Sequence, residues 1–159
     1  MAIFENLFYT DYEPKLQNRF VFDIDGIPAY IVKSANRPNV SSTRKEIDYI
    51  NTKRYIAGKY AWETLDIVFQ DPIVPSGAQK VNEWVRQHME FTTGTAGYAT
   101  NYKKDITLNL LGPDGTKVEE WKLKGTFIQS VNFGTLDYAS DDLTDITVTL
   151  SYDYAILNF

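Results

Sequence analysis

The side chains able to do chemistry in this chain are few and poorly arranged for it. His88 is the single histidine, and an imidazole serves as general base only beside a nucleophile and an orienting group. Ser76 and Ser130 are available as nucleophiles, but no nucleophile-elbow sequence frames either one. His88 is therefore expected to be a packing or interface residue. Asp137, Asp141, Asp142 and Asp145 form the densest carboxylate cluster, and oxygen-rich clusters bind calcium. The turn glycine and terminal bidentate glutamate of an EF-hand loop are missing, so a solvated acidic loop or a wall facing a polyanion is the better expectation. Glu119–Glu120 and Glu63/Asp66 have the residue types of a glycosidase pair, but acidic residues on strand faces are commonplace. Gly94–Gly97 and Gly112–Gly115 lack the Gly-Lys-Ser/Thr ending of a phosphate loop. Neither catalysis nor a cofactor or metal site is expected.

The elements that would position these residues are mostly strands. Ile146, Val148, Leu150, Tyr152 and Tyr154 alternate with Asp145, Thr147, Thr149, Ser151 and Asp153. Period two held over residues 144–154 predicts one long strand with a core face and a wet face. It carries no lysine or proline to blunt an edge, which suggests pairing within a large sheet that extends across subunits. Further strands are expected over Arg19–Asp25 and Ala29–Ser34, as a hairpin, and over Ala61–Gln70, Lys104–Leu111, Val118–Lys124 and Thr126–Phe133. Residues 1–15 read as an N-terminal arm, with a helical turn allowed by Ile3, Phe4, Leu7 and Phe8. The one strong helix, about 77–90, opens with Ser76 and Gln79 at capping-box spacing and carries Val81, Trp84, Val85 and Met89 on one stripe. Residues 36–60 are polar and charge-rich. They predict a projecting arm of two strands around Arg44–Tyr49 and Lys53–Ile56, and such an arm cannot bury itself in its own core.

Bulk properties narrow the function classes. A chain of 159 residues with 43% hydrophobic and 14% aromatic content fits one globular domain, 1–159, with a real core. Eleven tyrosines suit interfaces as well as cores. Cysteine is absent, which excludes disulfides and thiolate metal sites. A net charge of −5 argues against gripping nucleic-acid phosphates. No segment has the run of apolar residues that a membrane span needs, and the N-terminus lacks the pattern of a signal peptide, so a soluble, unexported chain is expected.

In this order of elements the chain resembles the tail tube proteins of contractile-tailed bacteriophages. The matching stretches are Asn18–Ile24, Gly58–Leu65, Val81–Trp84, Tyr102–Ile106, Trp121–Gly125, Leu136–Tyr138 and the closing strand through Tyr154. The resemblance implies a mainly β fold, a two-sheet antiparallel β-sandwich or small barrel with one flanking helix and an extended arm over about 40–60, as in type VI secretion tube proteins. It implies hexameric rings that stack into the hollow inner tube of a contractile tail, located in the virion tail and assembled in the bacterial host cytoplasm. Its implied partners are other copies of itself, the tail sheath protein, the tape measure protein and viral DNA in the lumen, and the baseplate and tail-terminator proteins. A baseplate-proximal tube initiator or the tube subunit of a phage-derived injection or secretion device would share the fold. A small ligand-binding β-barrel is the alternative from another class, and it requires an apolar pocket. Arg44, Glu46, Tyr49, Lys53, Arg54 and Tyr55 of the arm are expected at ring-to-ring contacts. The wet row Asp145, Thr147, Thr149, Ser151 and Asp153 is the candidate lumen face.

Overall fold

The mainly β architecture expected from the alternation is present in the computed structural model, which describes residues 7–8 and 11–159. The expected helical turn over Ile3, Phe4, Leu7 and Phe8 lies in part outside the described residues. The strands are β1 (Phe20–Asp23), β2 (Val32–Ala35), β3 (Val40–Tyr49), β4 (Thr52–Trp62), β5 (Leu65–Gln70), β6 (Lys104–Leu111), β7 (Lys117–Asn132), β8 (Asp145–Ser151) and β9 (Tyr154–Asn158). Two helices, α1 (Gly77–His88) and α2 (Ala99–Tyr102), lie between β5 and β6.

β7 organises the rest. Its first half pairs with β6 and β9, and its second half with β8, all antiparallel. The strand therefore belongs to two four-stranded sheets, β1-β6-β7-β9 and β2-β5-β8-β7. The change of sheet falls at Gly125, which has φ +66°, a conformation that costs a residue with a Cβ. Val118–Lys124 and Thr126–Phe133, expected as separate strands, are thus one bent strand. The converse holds at the end of the chain. The alternation over 144–154, expected as a single strand, is β8 and then β9, parted at Tyr152–Asp153 where the chain follows β7 around its bend. The core face does not carry through the corner in phase: Tyr152 is buried, but beyond it Ala155 packs on the core while Tyr154, expected on the apolar face, and Ile156 are exposed.

That core lies between the two sheets. Ile146, Val148 and Leu150 of β8, Ile67 of β5, Leu123 of β7 and Ile106 of β6 are fully or almost fully buried in it. α1 adds Val81 and Trp84, and Trp84 Nε1 donates to the carbonyl of Tyr102 at 2.8 Å. Burying those two side chains contributes roughly 3–6 kcal/mol as an upper bound. Ser76 caps α1 by accepting from the Gln79 amide at 3.3 Å, while the Gln79 side chain bonds Glu83 rather than closing the box. Met89, expected on the buried stripe, lies past the helix end and is exposed.

The expected hairpin of the first two strands does not form. β1 pairs with β6 and β2 with β5, and Gly26-Ile27-Pro28 carries the chain from one sheet to the other. Hydrophobic alternation cannot distinguish a hairpin turn from a crossover. Residues 29–31 form a 3-10 turn instead of the start of β2. The expected strand Ala61–Gln70 is divided at Glu63–Thr64, its first residues closing β4.

A side chain at position 125 would collide with the Asp153 carboxylate, which is held at 3.1 Å by Lys103. Gly125→Ala is expected to lower stability by about 1–3 kcal/mol through left-handed strain and loss of that corner. An unchanged denaturant midpoint in equilibrium unfolding would show that the bend tolerates a Cβ.

Candidate functional site

β3 and β4 form an antiparallel ribbon of their own, the expected projecting arm, with register Tyr49↔Thr52 through Val40↔Trp62. Ten and eleven extended residues reach about 33–37 Å. Every residue of β3 is exposed, and β4 is nearly so. The arm continues the β2–β5 ladder: Asn36 N donates to Asp66 O at 3.2 Å and Glu63 N to Asn39 O at 2.9 Å. Trp62 meets Tyr152 at its root, ring centroids 6.0 Å apart. A two-stranded ribbon exposed on both faces is marginal in water, so this one requires a surface to lie against.

The register sorts the candidate residues of the arm onto two faces. Arg44, Glu46, Lys53 and Tyr55 share one face and satisfy each other there. Glu46 pairs with Lys53 at 3.0 Å and Arg44 at 3.7 Å, and the Arg44 guanidinium lies 4.0 Å from the Tyr55 ring centroid. Tyr49 and Arg54 stand on the opposite face with Lys45, Ile47 and Ile56. Lys45, Ile47 and Ile56 were not among the expected contact residues, although alternation through Lys45, Ile47 and Tyr49 carries the signal.

The candidate lumen row lies on the outer face of the β2-β5-β8-β7 sheet. Thr147 and Thr149 face outward opposite Asn132 and Ser130 of β7, while Ile146, Val148 and Leu150 point into the core. Asp145 pairs with Lys33 of β2 at 2.7 Å, and Thr149 donates to the Asp66 carboxylate at 2.8 Å. Ser151 ends the row. Asp153 does not belong to it, because the chain has turned the corner and its carboxylate is bound to Lys103. The two outer strands of this sheet, β2 and the second half of β7, have no further neighbour among the described residues.

The remaining chemistry-bearing residues do structural work. His88 packs against Tyr102 and Phe127, ring centroids 4.7 and 6.1 Å away. Asp137 caps its own loop at the Ala139 amide. Among the described residues no three metal-ligating side chains come together. Glu119 is the unforeseen one. Its side chain is 3% exposed and collects Lys15 from the N-terminal segment, Arg37 from the arm root at 3.5 Å, and Trp121 Nε1. Burial alone would push the Glu119 carboxyl up. The hydrogen bonds from Lys15 and Trp121 and the charges of Lys15 and Arg37 outweigh that and hold it below its ordinary range. Glu120 points the other way and meets Lys117 and Lys122. A groove of about 980 Å³, lined by Phe20, Tyr30, Val32 and Arg37 among others, separates β1 from β2. It is an open seam between two sheet edges, unlike the enclosed apolar pocket that a ligand-binding barrel requires.

Among the described residues, two strand edges of one sheet and the ribbon are left without a further strand to pair with. The chain belongs to the family of the T4-like virus tail tube protein gp19, whose model matches residues 16–156. It is thus a structural tail tube subunit. No curated protein matches the chain. Among solved structures it is similar to the sheath/tube terminator of PVC, an extracellular contractile injection system, with TM-score 0.75 and 19% identity, covering 94% of this chain and 100% of that one. It is similar to a chain of the PVC sheath-tube complex, with TM-score 0.73, 19% identity and 96% of each chain covered. Hcp1 from Flavobacterium johnsoniae gives TM-score 0.51 and 15% identity, over 88% of this chain and 94% of that one. At these identities the likeness is one of fold.

Glu119→Gln is expected to lower stability at neutral pH by about 1–3 kcal/mol, since it removes charge-assisted bonds from a buried site. Because the folded carboxyl is the stronger acid, its contribution is present above the ordinary glutamate range and is lost as pH falls through the folded value. The melting difference between the two proteins should therefore shrink below about pH 4. A difference that is constant from neutral to acid pH would remove the ionised carboxylate from this role.

Proposed function

We propose that six copies close edge to edge into a ring, and that rings stack head to tail into the hollow inner tube of a contractile phage tail through which DNA is delivered. The observation that carries this is the β2-β5-β8-β7 sheet, whose two outer strands have no further neighbour among the described residues and whose outer face carries small polar side chains. Strand directions alternate across it, so β7 of one copy meets β2 of the next antiparallel, and the sheet continues without a break in pattern. Such a contact is heterologous and closes about an axis when the rotation permits. The groove beside β2 leaves space for the incoming strand.

Closure turns the outer face toward the axis and puts Asp145, Thr147, Thr149 and Ser151 on the lumen wall. The row itself carries no cation, and Lys33 beside it is paired with Asp145, so the wall offers DNA phosphates little attraction. The tape measure protein shares that lumen, the sheath covers the outside, and baseplate and terminator proteins cap the ends. The tube is a part of the virion tail assembled in the bacterial host cytoplasm. The same ring and stack would serve a phage-derived injection device.

The arm that carries Arg44, Glu46, Tyr49, Lys53, Arg54 and Tyr55 makes the ring-to-ring contact, with Tyr49 and Arg54 on the face that is not already self-paired. Negative-stain electron microscopy of the concentrated protein, with its mass in solution, is expected to give six-fold rings or hollow tubes. Deleting residues 43–56 should leave a folded, soluble domain that builds no tubes. Normal tubes from that deletion would sink the assignment of the arm.

A further inference from the structure

The two ends of the lumen-candidate sheet differ in chemistry, and the registers fix which segments lie at each end. At one end the β2–β5 ladder runs out into the arm. At the other, Gln70 of β5 is paired with Asp145 of β8, and Asp71 N donates to Thr144 O at 3.2 Å. That second end therefore carries the β5–α1 loop and the 133–144 connector between β7 and β8. Both present bare apolar side chains: Ile73, Leu136, Tyr138 and Leu143 are among the most exposed large apolar residues described. Nothing in the described chain covers them. An apolar cluster of this kind on one end of a subunit marks a contact surface.

The charges of the two ends are opposite. Residues 40–62 hold five basic and two acidic side chains, a net +3, in a chain whose overall charge is −5. Residues 133–144 hold Asp137, Asp141 and Asp142 and no basic residue, a net −3. On the arm, Lys45 and Arg54 flank Ile47 and Ile56 and make no ion pair among the described residues, whereas the opposite face neutralises itself. Ile50 is fully exposed at the tip. One surface is basic and apolar, the other acidic and apolar. Rings closed edge to edge set the strand axes across the ring plane, so the arm end of one subunit faces the connector end of a subunit in the next ring.

We infer that the 133–144 connector, with the neighbouring Ile73 loop, is the docking surface for the arm of a second copy of this chain in the adjacent ring. Ile47, Ile50 and Ile56 cover Leu136, Tyr138 and Leu143, while Lys45 and Arg54 meet Asp141 and Asp142. The inference rests on the ring-and-stack reading above and adds the acceptor that it leaves open. Asp141 and Asp142 are exposed, and no hydrogen bond in the loop uses their carboxylates, so exchanging them leaves the loop's own turns intact.

The test is a charge exchange in the full-length chain. D141K/D142K and K45E/R54E should each keep the far-ultraviolet circular dichroism, the melting temperature and the rings of the unaltered protein. Each should lose sedimentable stacks at least about tenfold, because like charges then oppose each other. The chain carrying all four substitutions should recover stacking to within about threefold, the charges having changed places. Stacks of normal abundance from either double variant would overturn the assignment. So would a four-fold variant whose rings are intact but do not stack. Loss of rings in D141K/D142K would place the connector in ring closure and overturn it as well. If the unaltered protein gives neither rings nor stacks, the reading beneath it has failed, an outcome distinct from the others.

Discussion

A sheet edge is a row of unpaired amide and carbonyl groups, and each must find water or a partner. In this protein that constraint is left open on purpose at two places, β2 and the second half of β7, on either side of one sheet. Neither strand contains a proline or is covered by a further strand among the described residues, and strand direction alternates between them. The other features can be traced to keeping those edges parallel and available. The bend at Gly125 lets one strand close the core in one sheet while offering an edge in the other. The corner at Tyr152–Asp153 lets the end of the chain follow it.

The appendages are secured by a different kind of force. Glu119 is the one acid side chain among the buried residues described, and its donors come from the N-terminal segment, the arm root and β7 itself. An ion taken out of water is unfavourable unless it is paired and hydrogen-bonded, and here three donors share the two carboxylate oxygens. The groups that would be mistaken for catalytic acids in a list of residues are thus holding distant pieces of chain together. Beyond its root, where Trp62 and Tyr152 meet, the arm is exposed along almost its whole length.

Much of this was legible in the sequence, for identifiable reasons. Alternation located β6 to the residue and separated the core face of β8 from its wet face, because side-chain burial obeys the strand period directly. It also announced the arm, since polar runs with sparse apolar residues cannot make a core. Partner choice was not legible. β1 and β2 read as a hairpin because the turn between them has hairpin residues, yet the chain crosses between sheets there. Gly125 looked like a break between two strands, and Tyr152–Asp153 like the interior of one. At both places the inward face shifts by one residue, from Leu123 to Thr126 and from Tyr152 to Ala155, and the residue types on either side do not mark that shift. Glu119 was hidden for another reason: its two cationic partners lie 104 and 82 residues away, and nothing local marks a carboxylate that the fold will bury.

The continuity of the arm with the β2–β5 ladder has a mechanical meaning. A pull along the arm is carried into strands that run the same way, so the inter-strand hydrogen bonds are loaded side by side in shear rather than opened one after another like a zipper. Bonds sharing a load in this manner yield only together. A load applied to the arm would thus reach the body of the subunit through bonds that share it.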